Sequence, residues 1–299
     1  MITAPVFGAY NIANGLYANR PTNPTPGDVY VSLDTKNILI CFERVGFHIS
    51  TAVFSKSINT KGINPTDIAF NNDGSKMYEV DSNEKKIYEY NLGIRWDIAT
   101  AVYVDSLDTK DTIPTGMAFN NDGSKMYEIG TGADMIYQYD LFANFRVSTA
   151  YYSKSIPTQD SLSDGITFNN DGSKMYEVGT GTQKIYEYVL STPFDIATAT
   201  ISQNISTQDS IPTGIVFNND GSKMYEIGTG ADKIYQYDLS INYDISTATF
   251  TKSILAQDTD PGGIAFNNDG SKMYQLGATI GKIYEYNLRG VGVWEVINP

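Results

Sequence analysis

Phe70-Asn71-Asn72-Asp73-Gly74-Ser75-Lys76-Met77-Tyr78 recurs from Phe119, Phe168, Phe217 and Phe266, each copy 49 residues after the one before. A fixed period of this length marks an array of repeated supersecondary units. Within the stretch, Asn-Asn-Asp-Gly lies between an apolar run and Lys-Met-Tyr, and Asp-Gly in that setting reads as a tight hairpin turn. Five near-copies of one polar turn point to scaffold, because a catalytic site needs different groups at one place.

The copy from Pro212 to Ile254 shows what surrounds the turn. Gly214-Ile215-Val216-Phe217 is short, apolar and β-branched, as expected of a buried strand. Lys223 to Gly228 alternates as a second strand, and Ile234 to Leu239 places Tyr235, Tyr237 and Leu239 on a common face. Ile245 to Ile254, rich in Thr, reads as a fourth strand. One four-stranded meander cannot bury both faces, but a ring of them can. The expected fold is therefore all-β, a single β-propeller of four-stranded blades. Met77, Met126, Met175, Met224 and Met273 are expected to fill the gaps between blades. Fifteen of the 22 tyrosines occupy three fixed repeat positions, so Tyr belongs to the scaffold.

Gly-Ile-Ala-Phe-Asn-Asn-Asp-Gly-Ser-Lys-Met-Tyr resembles the inner hairpin of the YVTN and NHL propellers over about residues 48–288. That resemblance implies a fold and no particular function. Asn72 and its equivalents depart from it, standing where those families often have Pro.

Five copies of the first three strands are present, and the fourth-strand pattern starts at 49, 98, 147, 196 and 245. The first of these precedes the first hairpin. It is expected to close a five-bladed ring as the outermost strand of the last blade, beside 282–288. The alternative is a six-bladed ring, whose divergent blade would combine 28–32 and 37–42 with either 292–297 or an N-terminal strand.

Residues 1–46 lack the repeat and carry four prolines, Pro5, Pro21, Pro24 and Pro26, as expected of an extended arm leading into a β-hairpin. Residues 47–299 are assigned to the propeller. Gly15-Leu16-Tyr17-Ala18-Asn19-Arg20-Pro21 followed by Gly27-Asp28-Val29-Tyr30 and Asp34-Thr35 resembles a short module of bacteriophage virion and tail-fibre proteins. The resemblance implies attachment through Tyr17, Asn19, Arg20 and Pro21. Asn23-Pro24-Thr25-Pro26 is stiffer than the linker expected there, and a hairpin that caps the propeller is the plainer reading.

The net charge of −13 repels phosphate backbones, so nucleic acid is not an expected partner. Cys41 and His48 are the single residues of their kinds, which excludes an intramolecular disulfide and a Cys/His zinc site. Cys41 reads as a small buried hydrophobe, and His48 is expected at the start of a strand. No signal-peptide or membrane-spanning pattern is present, so no membrane partner is expected.

Asp111, Asp160, Asp209 and Asp258 recur in the loops between blades, with Gly62 at the fifth position. Such a ring suits a hard cation, but each Asp capping its own turn explains the repetition without a ligand. No metal or cofactor is therefore expected. Glu79, Glu128, Glu177 and Glu226, with Gln275, form a second stripe. Identical environments do not separate pKa values as acid–base catalysis requires. The loops around Trp96, Phe142, Phe145, Phe194 and Tyr243 vary most, and their aromatics suit protein or glycan contact. The spacing of Phe194 and Tyr243 favours an inward fold.

These readings converge on a non-enzymatic virion protein of tail, spike or capsid-decoration type. Its arm would dock to other virion proteins, and its propeller, as a single copy or a homo-oligomer, would meet a host-surface glycan or protein. The alternative is a cellular glycan- or protein-binding propeller, with a lyase or hydrolase propeller third.

Overall fold

The structure, a computed structural model, describes residues 46–288 and, outside them, the backbone of Ile12–Gly15, Val29–Ser32, Ile38–Arg44 and Val291–Ile297. Blade 1 runs outward from Pro65–Phe70 through Lys76–Asp81 and Lys86–Leu92 to Ala101–Asp108. Blades 2, 3 and 4 repeat that order over 114–157, 163–206 and 212–255. Blade 5 takes three strands from 261–288 and its outermost from Ala52–Asn59, which pairs antiparallel with Lys282–Leu288. The ring is thus closed by the start of the chain.

Five strips of core hold the blades together, one at each interface. Met126, Met117 and Leu141 of blade 2 pack on Tyr78, Val80 and Ile87 of blade 1. The strip between blades 5 and 1 joins Tyr274, Leu276 and Ile283 to Ile68, Met77 and Ile98. Blade 5 therefore packs directly on blade 1, and the ring has five blades. The five repeated methionines are fully buried at these interfaces, as the sequence led us to expect.

The segments proposed for a sixth blade do pair, but outside the ring. Val29–Ser32 runs parallel to Ile12–Gly15 and antiparallel to Ile38–Arg44, which pairs in turn with Val291–Ile297. The C-terminal strand thus leaves the propeller to join the N-terminal sheet. Cys41 lies opposite Trp294 in that register.

Each residue of the repeated stretch has a task. Phe70 packs on Trp96 and Tyr274, with ring centroids 5.3 and 4.4 Å away. Asn71 Oδ1 accepts from the Lys76 amide at 2.9 Å, and Asp73 Oδ1 accepts from the Ser75 amide at 2.9 Å. Gly74 adopts φ +69°, and a Cβ there would lie 2.2 Å from the Trp96 ring. Its equivalents face Phe145, Phe194, Tyr243 and Phe47 in the same way. The Tyr78 hydroxyl donates to the Phe145 carbonyl of the next blade at 2.6 Å.

The fourth strand starts later than the sequence suggests. Ile98–Thr100 and its equivalents form a single 3₁₀ turn before strands such as Ala101–Asp108. The Thr100 hydroxyl donates back to the Asp97 carbonyl at 2.7 Å, a bond that Thr51, Thr149, Thr198 and Thr247 repeat in the other corners, and Asp97 adds a cap by accepting from the Ala99 amide at 3.0 Å. His48 takes the capping position before Ile49–Thr51, so it precedes a 3₁₀ turn and not a strand.

Candidate functional site: the central channel and the loop face

The strand directions give the ring two unlike faces. The turn face carries the Asn-Asn-Asp-Gly turns and the 3₁₀ corners. The loop face carries the loops from one blade to the next. Both chain ends leave from the turn face, where the Phe47 amide donates to the Gly270 carbonyl at 2.9 Å and the Leu288 amide to the Ser271 carbonyl at 2.7 Å.

On the turn face, the second asparagine of every motif reaches sideways. The Asn72 amide donates to the Asn121 carbonyl, Asn121 to Asn170, Asn170 to Asn219, Asn219 to Asn268, and Asn268 back to Asn72. This closed belt explains why asparagine stands where proline was the familiar residue, since proline has no side-chain donor. Below the belt lies a chamber of about 240 Å³ lined by the innermost strands.

The loop aspartates are buried caps. Asp111 Oδ1 accepts from the amides of Ile113 at 2.8 Å and Gly132 at 2.9 Å, and its Oδ2 from Ala133 at 3.2 Å. Asp160 and Asp209 repeat the pattern on Leu162 and Gly181, and on Ile211 and Gly230. Asp258 accepts from Asp260 at 3.0 Å and Ile280 at 3.4 Å. All four are at most 3% exposed, so the cation ring gives way to turn capping. Blade 1 exchanges the two residues: Gly62 stands at the aspartate position, and Asp81 stands where the others have Gly130, Gly179, Gly228 and Gly277. Asp81 accepts from Asn64 at 2.6 Å and from Glu84 at 2.5 Å, so a carboxylate reaches the same space from the opposite strand.

The glutamate stripe is buried beneath those loops. Glu128 accepts from the Asp111 amide at 2.7 Å, the Lys110 amide at 3.1 Å and the Tyr139 hydroxyl at 2.5 Å. Burial pushes the carboxyls of Glu79, Glu128 and Glu226 above the usual range, and the hydrogen bonds oppose it. Gln275 leaves its Nε2 without a partner.

Trp96, Phe145, Phe194 and Tyr243 are half-buried plugs over the turn glycines, held at φ near +60°. These four rings fold inward over the turn glycines. Phe142 differs: it is 83% exposed and lies 4.8 Å from the ring of Tyr151. Tyr17, Asn19, Arg20 and Pro21 lie outside the described residues.

The repeat breaks most sharply where the innermost strands begin. Thr66, Thr115 and Thr213 occupy a position held by Asp164 in blade 3 and Gly262 in blade 5. The next position is Asp67 in blade 1 and glycine in the other four. Asp67 accepts from the Ile68 amide at 2.8 Å and the Met117 amide at 2.9 Å. Asp164 accepts from the Thr180 hydroxyl at 2.8 Å. Burial within the channel pushes both carboxyls up to about 7, against those hydrogen bonds. The loop-face mouth is a second chamber, of about 180 Å³, lined by Thr66, Thr115, Asp164, Thr213 and Asp260 among others. Neither channel aspartate was singled out from the sequence. The signal was available as a departure from the 49-residue pattern.

The architecture defines a class, the five-bladed β-propeller. No family model matches the chain, and no curated protein matches it. Among solved structures, it is similar to a functionally unknown protein from Desulfotomaculum acetoxidans DSM 771, with a TM-score of 0.46 and 12% identity over 83% of this chain and 72% of that one. It is also similar to the β-propeller domain of Myceliophteria thermophila Cps50 (Swd1), with a TM-score of 0.48 and 9% identity over 79% and 99% of the two chains. A protein from Lactobacillus plantarum has a TM-score of 0.47 and 14% identity over 94% and 79%. Among the described residues no helix is long and apolar enough to cross a membrane.

Proposed function

We propose that this chain is a non-enzymatic structural protein of a virus particle, tethered through its terminal sheet and displaying the propeller for contact with a host-surface protein or glycan. The observation that carries the display reading is the shared exit of both chain ends from the turn face. The ends then pair with each other, through Ile38–Arg44 and Val291–Ile297, which leaves the loop face on the far side of the ring. The particle itself comes from the resemblance of residues 15–39 to phage attachment modules. The non-enzymatic reading is supported by the repeated loop aspartates and buried glutamates, which are occupied by amide and hydroxyl donors of the scaffold.

The test is incorporation. A chain lacking residues 1–45 keeps Phe47 and the closing strand Ala52–Asn59, and is expected to retain its β-sheet circular dichroism and cooperative melting. It should be missing from particles purified from cells that make it, while the full chain is present. Equal incorporation of both chains would remove the tether from this reading. Absence of the full chain from particles would favour the cellular binding propeller.

A further inference from the structure

In a ring of near-identical blades, a ligand that makes one set of contacts is marked by the place where the repeats stop matching. Here that place is the loop-face mouth of the channel. Asn64 and Asp260 line the chamber, and the same repeat position is Ile113, Leu162 and Ile211 in blades 2, 3 and 4. Equivalence of these five positions is borne out by the backbone: their carbonyls accept from Ser82, Thr131, Thr180, Thr229 and Ala278 at 2.9–3.1 Å. The three apolar residues are 48%, 48% and 44% exposed, so three consecutive blades present apolar surface on the loop face outside the chamber. Asp260 and Asn64 are the polar residues at that position in the other two.

The charge of the mouth is one-sided. Among the described residues no Lys or Arg lines the chamber. The charges acting on Asp164 and Asp260 come from further aspartates: Asp160 for the first, Asp258 and Asp232 for the second. Thr66, Thr115 and Thr213 donate their hydroxyl protons to the carbonyls of Pro114, Ser163 and Pro261 in the next blade, at 3.2, 2.7 and 2.7 Å. Their oxygen lone pairs remain to accept from a further donor. A chamber of about 180 Å³ fits a single side chain and falls below the roughly 300–1,000 Å³ of small-molecule pockets. A low-dielectric well of one sign draws the opposite charge, and a charged side chain with an apolar stem buries both parts at once.

We propose that the loop-face mouth is a docking surface for a protein segment that inserts one lysine or arginine side chain into the chamber, its apolar neighbours lying on Ile113, Leu162 and Ile211. The inserted cation meets Asp164 and Asp260, and the threonine hydroxyls accept its remaining N–H groups. This deepens the display reading by naming the partner of the free face, and it rests on that reading.

A random heptapeptide library panned on the full-length chain tests it. Enriched peptides should carry a Lys or Arg beside Leu, Ile or Val. The enrichment should vanish on the Asp164→Asn/Asp260→Asn chain, and an enriched peptide should bind that chain about thirtyfold or more weakly in fluorescence anisotropy. Asp260→Asn alone, at an exposed site, serves if the double variant melts early. Selection without a basic residue, equal selection on the variant, or equal competition by free lysine would overturn the proposal. Such a result with particle incorporation intact removes this inference and leaves the display reading standing.

Discussion

At the scale of single residues, the repeat conserves a charge in space more faithfully than it conserves the residue that carries it. Gly62 and Asp81 are the clearest case. An added Cβ at Gly62 would lie 2.2 Å from Asp81 Oδ2, so an aspartate cannot stand at both positions. Asp81→Gly should cost about 1–3 kcal/mol, because the Asn64 and Glu84 amides lose their acceptor. Gly62→Asp in the same chain should recover most of that loss by restoring the pattern of the other blades. Urea titrations of the four chains in this cycle check it, and additive effects would contradict the exchange. The lysine of the motif behaves likewise: Lys76, Lys174 and Lys272 pair with Glu89, Glu187 and Glu285, whereas Lys125 and Lys223 pair with Asp140 and Asp238. The sequence showed Gly62 as an exception but hid its partner, because the two residues lie on different segments and meet only once the sheet has formed.

At the scale of elements, the hairpin and the corner form one unit. The turn glycine is left-handed because Asp-Gly turns need it, and its bare face is then covered by a corner aromatic from two strands further along. Gly123→Ala, at φ +71° and with the Phe145 ring 2.3 Å from the added Cβ, should destabilise by about 2 kcal/mol or more. Tyr176→Phe should cost about 1 kcal/mol, because the Tyr243 carbonyl of the next blade loses its 2.6 Å hydroxyl donor and keeps the Lys174 ammonium at 2.8 Å. Both are read from the midpoint of chemical denaturation, and a neutral Tyr176→Phe would show that these bonds contribute nothing to blade adhesion. The strands of this unit were legible from alternation alone. The 3₁₀ turn at Ile98–Thr100 was not, because Ile-Ala-Thr has strand-like composition and the bond shared by all five corners, from the threonine hydroxyl back to the carbonyl three residues before it, leaves no mark on that composition. The inward role of Trp96 and Phe145 was hidden for a related reason: a positive φ is a property of the corner and leaves no mark on the residue type.

At the scale of the whole molecule, the blade count followed from period and pattern, because the fourth-strand motif before the first hairpin had a vacant edge at the other end of the chain. Asp67 and Asp164 stood out in the sequence as departures from the repeat, but their place in a channel was not legible, since they become neighbours of other blades only after closure. Their carboxyls lie near 7 in the ring, well above the usual carboxylate value of about 3.9. The folded state therefore holds protons that the unfolded chain has released. The resulting stability is full at acid pH and is lost as pH rises through about 7. Asp164→Thr, which restores the residue of three other blades, should raise the melting temperature at pH 8 and change it little at pH 4. A uniform shift at both values would contradict this linkage. Ring closure is the claim on which the rest depends. Val53 faces Asn287 across the closing strand pair, and antiparallel partners, about 4.5–5.5 Å apart at Cα, lie within disulfide range. In a chain with Cys41→Ser, the pair Val53→Cys and Asn287→Cys should oxidise to an intramolecular bridge and gain about 2–4 kcal/mol of stability. Free thiols under oxidising conditions, or bridges only between chains, would show that the first repeated strand does not close the ring.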